Sequence, residues 1–192
     1  MPHDPYQFHP LTPDRWSDFE ALFGPRGACG GCWCTYFQQS RKEAGANKGE
    51  ANRAFMQARV AAGKVPGLIA YQGETPVGWV AVEPREEYAA HFRTSRHFKP
   101  VDDRPAWAVV CFFVAKGSRR KGLTVRLLQA AVAHVRQNGG QLVEGYPVEP
   151  DKLDYADVWA YVGVASAFRQ AGFREAARPS ATRLIMRCEI DA

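Results

Sequence analysis

No stretch of this 192-residue chain approaches the roughly 20 consecutive apolar residues that a helix needs to cross a bilayer. The first ten residues, MPHDPYQFHP, have no apolar core of the kind a secretory signal carries, so the expectation is a cytoplasmic protein without a membrane partner. Cysteine is scarce and odd in number, five in all, which argues for reduced thiols and against a disulfide framework. There is no internal repeat and no low-complexity tract. Basic residues outnumber acidic ones by only 25 to 20 and are spread along the chain. That balance suits a polyanionic small molecule at least as well as nucleic acid, and no nucleic-acid partner is expected. What the chain does have, 46% apolar and 12% aromatic residues, can bury a full core, and the length fits a single domain over residues 1–192.

The chain is organised around Ala106 to Val135. Trp107 to Val114 is apolar on both alternating faces, the pattern of a central strand buried on both sides. Thr124, Leu127, Leu128, Ala131 and Val135 then form one apolar stripe of a helix, which Asn138-Gly139-Gly140 stops. The turn between them, Lys116-Gly117-Ser118-Arg119-Arg120-Lys121-Gly122, is basic and carries two glycines. A helix N-terminus offers unpartnered N–H groups and partial positive charge, and glycine lets a ligand approach the backbone closely, so the turn is suited to an anion such as phosphate. Gly117 to Thr124 matches a P-loop at every fixed position but one. Leu123 replaces the lysine that reaches the terminal phosphates, and no apolar run ending in Asp follows to hold magnesium.

Before this unit, Tyr6 to Leu11 reads as a short strand, and Thr12-Pro13-Asp14 opens a helix with a capping hydroxyl. Trp16, Phe19, Leu22 and Phe23 give that helix its apolar stripe, and Gly24-Pro25 ends it. Arg41 to Gly63 is helical and polar. Gly67 to Tyr71 and Val77 to Val82 form an antiparallel hairpin around Gln72 to Pro76, and the polar stretch up to Pro105 holds a short helix near Glu86 to Arg93. After the core helix, Leu142 to Val148 reads as a second parallel strand, a helix runs to about Ala171, and Arg183 to Ile190 is a final strand.

Cys29, Cys32 and Cys34 lie in RGACGGCWCTY, where C-x-x-C spacing is that of two thiolates on one metal. A structural zinc needs four ligands and no neighbouring Cys or His supplies the fourth at a customary spacing, so no metal site is expected. Small buried thiols beside Trp33, Tyr36 and Phe37, or a loop lining an acceptor pocket, are the other readings.

Arg119-Arg120-Lys121-Gly122-Leu123-Thr124, with Val114 five residues ahead of Arg119, resembles the R/Q-x-x-G-x-G/A pyrophosphate loop of the GNAT superfamily of acetyl-CoA-dependent N-acetyltransferases, Thr124 standing for the usual small residue. The succession of elements resembles that family over nearly the whole chain, and CWCTYF, PGLIAY, VVCFFVAKGSRRKG and VEGYPVEP together resemble an uncharacterised bacterial subgroup of it. The resemblance implies an α/β fold with a central mixed sheet, splayed parallel strands and flanking helices. It implies acetyl-CoA as cofactor, its pantetheine along the backbone of Phe112, Phe113 and Val114, its pyrophosphate on the N–H groups from Arg119 to Thr124, and an oxyanion held by a strand amide near Phe113. The partner it implies is a primary amine on a small molecule or peptide, and family members are often homodimers.

Transfer to an amine requires one proton to leave the amine and another to reach the departing thiolate. Many family members use a tyrosine four residues before the Gly of a Gly-Phe pair, where this chain has Phe168. Tyr161, two turns earlier on the expected helix, and Tyr146, on the second parallel strand, are the candidate acids. Glu144, a carboxylate within an apolar strand, is a candidate base or one half of a salt bridge with an arginine, and Glu83 is the alternative base. Cys111 has no evident His partner and is expected to be inert. A non-catalytic acyl-CoA-binding domain that has lost its acid is the competing function, and residues 24–63 and 83–105 are expected to shape the acceptor pocket.

Overall fold

The eight residues Trp107–Val114 carry no charged side chain, and such a strand is stable only where both sheet faces are covered. A computed structural model describing residues 5–149 and 161–191 places this strand fourth in a seven-stranded mixed sheet of order β1-β2-β3-β4-β5-β7-β6. The strands are β1 (Gln7–Pro10), β2 (Gly67–Gln72), β3 (Thr75–Pro84), β4 (Trp107–Val114), β5 (Leu142–Gly145), β6 (Arg174–Ser180) and β7 (Arg183–Glu189). The β4–β5 pair is parallel and the other neighbouring pairs are antiparallel. The helices are α1 (Trp16–Phe23), α2 (Arg41–Ala46), α3 (Glu50–Ala61), α4 (Ala89–Phe92), α5 (Leu123–Gln137) and α6 (Ala165–Gln170).

Two cores follow from the two faces of β4. On one, Ala108 and Val110 join Phe19, Phe23, Trp33, Phe37, Met56 and Phe92, so α1, α3 and α4 cover that side. On the other, Val109 and Phe112 meet Leu127, Leu128, Ala131 and Val135 of α5 and Phe168 of α6. Leu127, Leu128 and Val135 are wholly buried, each stabilising the fold by about 1.5–3 kcal/mol. The stripe read from the sequence is displaced at its start, because Leu123 is buried and Thr124 only half-buried.

Several expectations need correction. The stretch 41–63 is two helices. Ser40 and Glu43 form a reciprocal capping box on α2, and Gly49, with φ +78°, breaks the chain before α3. Thr12 is not a side-chain cap, since its hydroxyl accepts from the Arg15 guanidinium at 3.3 Å. β6, half exposed and interrupted by Pro179, has no counterpart in the sequence reading. β5 stops at Gly145, so Tyr146 lies beyond the strand. The expected helix is α6, which starts only at Ala165; its upstream part falls on residues 150–160, outside the described residues, and Tyr161 sits in a turn instead of on that helix.

The end of β5 has a local cause. A Cβ on Gly145 would stand 2.0 Å from Cε1 of the fully buried Phe168 ring, so the ring packs directly on the backbone there. Gly145→Ala should therefore destabilise the fold by about 1–3 kcal/mol through overpacking. Urea denaturation checks this, and an unchanged midpoint would show that the Phe168 ring does not depend on the missing side chain.

Candidate active site

Parallel pairing of β4 with β5 covers only Trp107–Val143, Ala108–Glu144 and Val109–Gly145. β3 follows β4 to Val114, with a bulge between Ala81 and Val82. Past Val109, then, β4 has a sheet partner on one edge only. Main-chain groups of a strand alternate between its two edges. Ala115 N–H donates to Val77 O, which turns Phe113 toward β3 and leaves Phe112 and Val114 facing the gap. Of the three expected backbone positions, Phe113 is therefore committed to the β3 ladder. Phe112 N–H donates to Tyr161 O at 2.6 Å, and Val114 O accepts from Arg119 Nε at 3.0 Å.

The gap runs into the basic turn. Arg120 (φ +59°) and Gly122 (φ +77°) both take the left-handed conformation, which curls the chain into the N-terminus of the 15-residue helix α5. Among the described residues, the main-chain N–H groups of Arg120, Lys121, Gly122, Leu123 and Thr124 find no acceptor, and nothing lies within 4 Å of a Cβ built at Gly122. An open nest of amide donors at a helix start suits a phosphate group.

At the other end of β4, register sets Glu83, Ala108, Glu144 and Arg187 in one row across four strands. Directly opposed residues share a sheet face, so charged groups meet inside the core there. Glu144, 1% exposed, accepts from Arg187 Nε and Nη2 at 2.8 and 2.6 Å, lies 3.1 Å from Arg85, and takes the Tyr146 hydroxyl at 3.0 Å. Arg187 also holds Asp102, whose carboxyl is kept far below its usual range by that bond. Glu83 accepts from Arg59 at 2.5 Å and from Gln38 at 2.7 Å. Burial pushes its pKa up, against the pull of Arg59 and Gln38. The Tyr146 phenol, buried beside Glu144, is raised well above its ordinary value. Both carboxylates are thus ion-paired, the bland alternative for Glu144. Arg187, an arginine that follows the apolar run Leu184–Met186 of β7, is the complementary signal in the sequence.

Beside the gap is a cavity of about 110 Å³ lined by Tyr36, Arg41, His91, His97, Tyr146 and Tyr161, among others. Tyr146 and Tyr161 are thus brought together, while Glu83 and Glu144 lie behind the wall. His91, His97, Arg41 and Arg183 are cavity residues that no sequence motif indicated. The cysteine segment packs on the same face of β4 as the cavity, in the core that holds Trp33, Phe37 and Tyr146. Cys34 is buried and accepts from Trp79 Nε1 at 3.0 Å, Cys29 is exposed, and the Cys111 thiol, free like the others, lies beside Cys34. The Cys34 thiol beside it and burial raise the Cys111 pKa well above 9.0, which makes it a poor nucleophile. Among the described residues, no three of His, Cys, Asp or Glu converge to hold a metal, and no helix is long and apolar enough to cross a membrane.

A mixed sheet whose central strand loses its parallel neighbour and leads into an amide nest defines a class of protein, and comparison agrees with it. The model of the acetyltransferase (GNAT) family matches residues 32–152, and the chain belongs to that family. No curated protein matches the sequence. Solved structures share the fold at low identity. The PaiA N-acetyltransferase from Thermoplasma acidophilum, in complex with coenzyme A, is 10% identical with a TM-score of 0.54, covering 96% of this chain and 98% of that one. A GNAT acetyltransferase from Listeria monocytogenes is 7% identical with a TM-score of 0.57, over 96% and 95%. An agmatine N-acetyltransferase variant in its apo form is 12% identical with a TM-score of 0.56, over 97% and 100%.

Glu83 supplies a pH test. Its folded pKa is raised, so the folded protein binds that proton more tightly than the unfolded chain does. The resulting stability is complete below the unfolded value near 4.5 and is lost as pH rises through the folded value. Denaturation of wild type and Glu83→Gln between pH 4 and 8 should show the wild type losing stability relative to the variant as pH rises. A constant difference would place the Glu83 pKa at its ordinary value.

Proposed function

We propose that the protein is an N-acetyltransferase that moves an acetyl group from acetyl-CoA to a primary amine of a small molecule or peptide. The observation that carries this reading is the edge of β4 beyond Val109, which no described strand covers, continuous with five main-chain N–H groups at the start of α5 that find no acceptor among the described residues. Those groups, from Arg120 to Thr124, hold the pyrophosphate, with Lys116, Arg119, Arg120 and Lys121 adding charge around it. Phe112 C=O and Val114 N–H, which face the gap with no main-chain partner among the described residues, are the strand groups placed for pantetheine. When bound, acetyl-CoA supplies the acetyl group as a thioester.

The remaining work falls to side chains of this chain. Tyr161 has its carbonyl on β4 and its side chain in the cavity, so it is the proton donor for the departing thiolate. Tyr146 gives its hydroxyl hydrogen to Glu144 and acts as a wall and positioning residue. Glu83, with its raised pKa, is the carboxylate suited to collect the amine proton. It is opposite Ala108, four residues and about 13 Å along the strand from Phe112, so the proton reaches it through an intervening group.

Isothermal titration of acetyl-CoA should show binding to the wild type and its loss in Gly122→Glu, which sets an anion against the nest; circular dichroism checks that the variant folds. Thiol release over an amine panel then reads turnover. Tyr161→Phe should lower kcat by about 10²- to 10⁴-fold with acetyl-CoA affinity retained. Binding without turnover of any amine would make the protein an acyl-CoA binder, and no binding at all would overturn the reading.

A further inference from the structure

The cavity beside the gap has an unusual charge. Among its described lining residues are two guanidinium groups, Arg41 and Arg183, and no carboxylate. Arg59, Arg85 and Arg187 all meet buried acids, whereas neither cavity arginine makes a side-chain hydrogen bond or ion pair among the described residues. Arg41 is the first residue of α2, and Arg183 opens β7, so two separate elements bring positive charge to one opening.

The two imidazoles do not offset that charge. His91 is 1% exposed and its Nδ1 has no partner; His97 Nδ1 is likewise buried without one. Burial and the field of Arg41 lower the His91 pKa, and burial with Arg96, Arg183 and Arg41 lowers that of His97. Both rings are therefore biased toward the neutral form, each with a buried nitrogen that has no hydrogen-bond partner, in a chamber whose described lining carries positive fixed charge. Tyr36, Phe37 and Phe98 form its apolar wall, and Tyr161 connects it to Phe112 and the gap.

We propose that the acceptor taken by this cavity is a small primary amine that also bears an oxyanion, of amino-acid size, with the oxyanion on Arg41 and Arg183 and the amine directed toward Tyr161. Guanidinium forks match carboxylate and phosphate alike, so the shared chemistry is the oxyanion. A volume of about 110 Å³ suits an amino acid or an aminoalkyl phosphate better than an oligosaccharide. Polyamines are disfavoured, because among the described lining residues a second cation would meet two arginines and no acid. This inference rests on the acetyltransferase reading for its purpose, although its binding test does not.

The test is equilibrium binding by calorimetry, with and without saturating coenzyme A, of L-amino acids from glycine to L-phenylalanine, each against its own amide, with 2-aminoethyl phosphate and agmatine alongside. At least one acid should bind about tenfold or more tightly than its amide and than agmatine. The preference should disappear in Arg41→Gln, an exposed position that leaves the core untouched, weaken in Arg183→Gln, and turn toward agmatine in Arg41→Glu. If 2-aminoethyl phosphate binds best and depends on the same arginines, the oxyanion is a phosphate and the inference holds. Equal binding of acid and amide, tighter binding of agmatine, no binding of any oxyanion probe, or indifference to both arginines overturns it. Because binding is read without turnover, a failure of acetyl transfer leaves the inference standing, and turnover of amines without oxyanion preference removes it alone.

Discussion

The separation of β5 from β4 after three paired residues is the constraint on which the rest of the molecule depends. It is built from packing, since the Phe168 ring lies on Gly145 and faces Phe112 edge-on at 6.1 Å. Gly163 completes the fit, because a Cβ there would stand within 3.0 Å of both rings. With the second parallel strand turned away, the outer edge of β4 has main-chain groups that the sheet does not use. In a buried setting such groups need a partner, and here the Tyr161 carbonyl and the Arg119 side chain supply two. Tyr161, whose carbonyl bonds to Phe112 across the gap, also lines the cavity, so the proposed cofactor edge and acceptor wall meet at one residue.

Charge is divided between the two ends of β4. At its start, Glu83, Glu144, Arg59, Arg85, Arg187 and Asp102 neutralise one another inside the core. Pairs of this kind lend little net stability compared with apolar packing, while removal of one member leaves a buried charge exposed to no water. Their consequence is positional: they lock β3, β5, β7 and the 83–105 excursion into register behind the cavity. At the end of β4, basic residues gather in the turn from Lys116 to Lys121, and Arg41 and Arg183 have no side-chain partner among the described residues. Both basic sites lie beside the gap, which is where anionic ligands are expected.

Several features were legible in the sequence because they depend on local pattern. β4 was read at its observed limits from an uncharged, β-branched and aromatic run, and α5 from its apolar stripe and the glycines after it. The hairpin of β2 and β3 and the stop at Gly24 likewise follow from alternation and turn residues. β6 was not legible, since its half-exposed residues include a proline and do not alternate cleanly. Glu144 announced itself as a buried carboxylate, yet Arg187 is 43 positions away and only antiparallel pairing of β5 with β7 makes them partners.

The sequence by itself determined the family-like order of elements, the anion-suited turn and the central strand, because each is a property of neighbouring residues and their periodicity. Tertiary structure alone decided which edge of β4 is open, that Phe113 turns its backbone to β3 while Phe112 faces the gap, and that Tyr161 and Tyr146 share a wall. It also decided that His91, Arg41 and Arg183, from three distant parts of the chain, surround one cavity. The physical reason is register: strand pairing and the packing of aromatic rings on Gly145 and Gly163 determine where backbone donors point, and neither leaves a signal in any short window of residues.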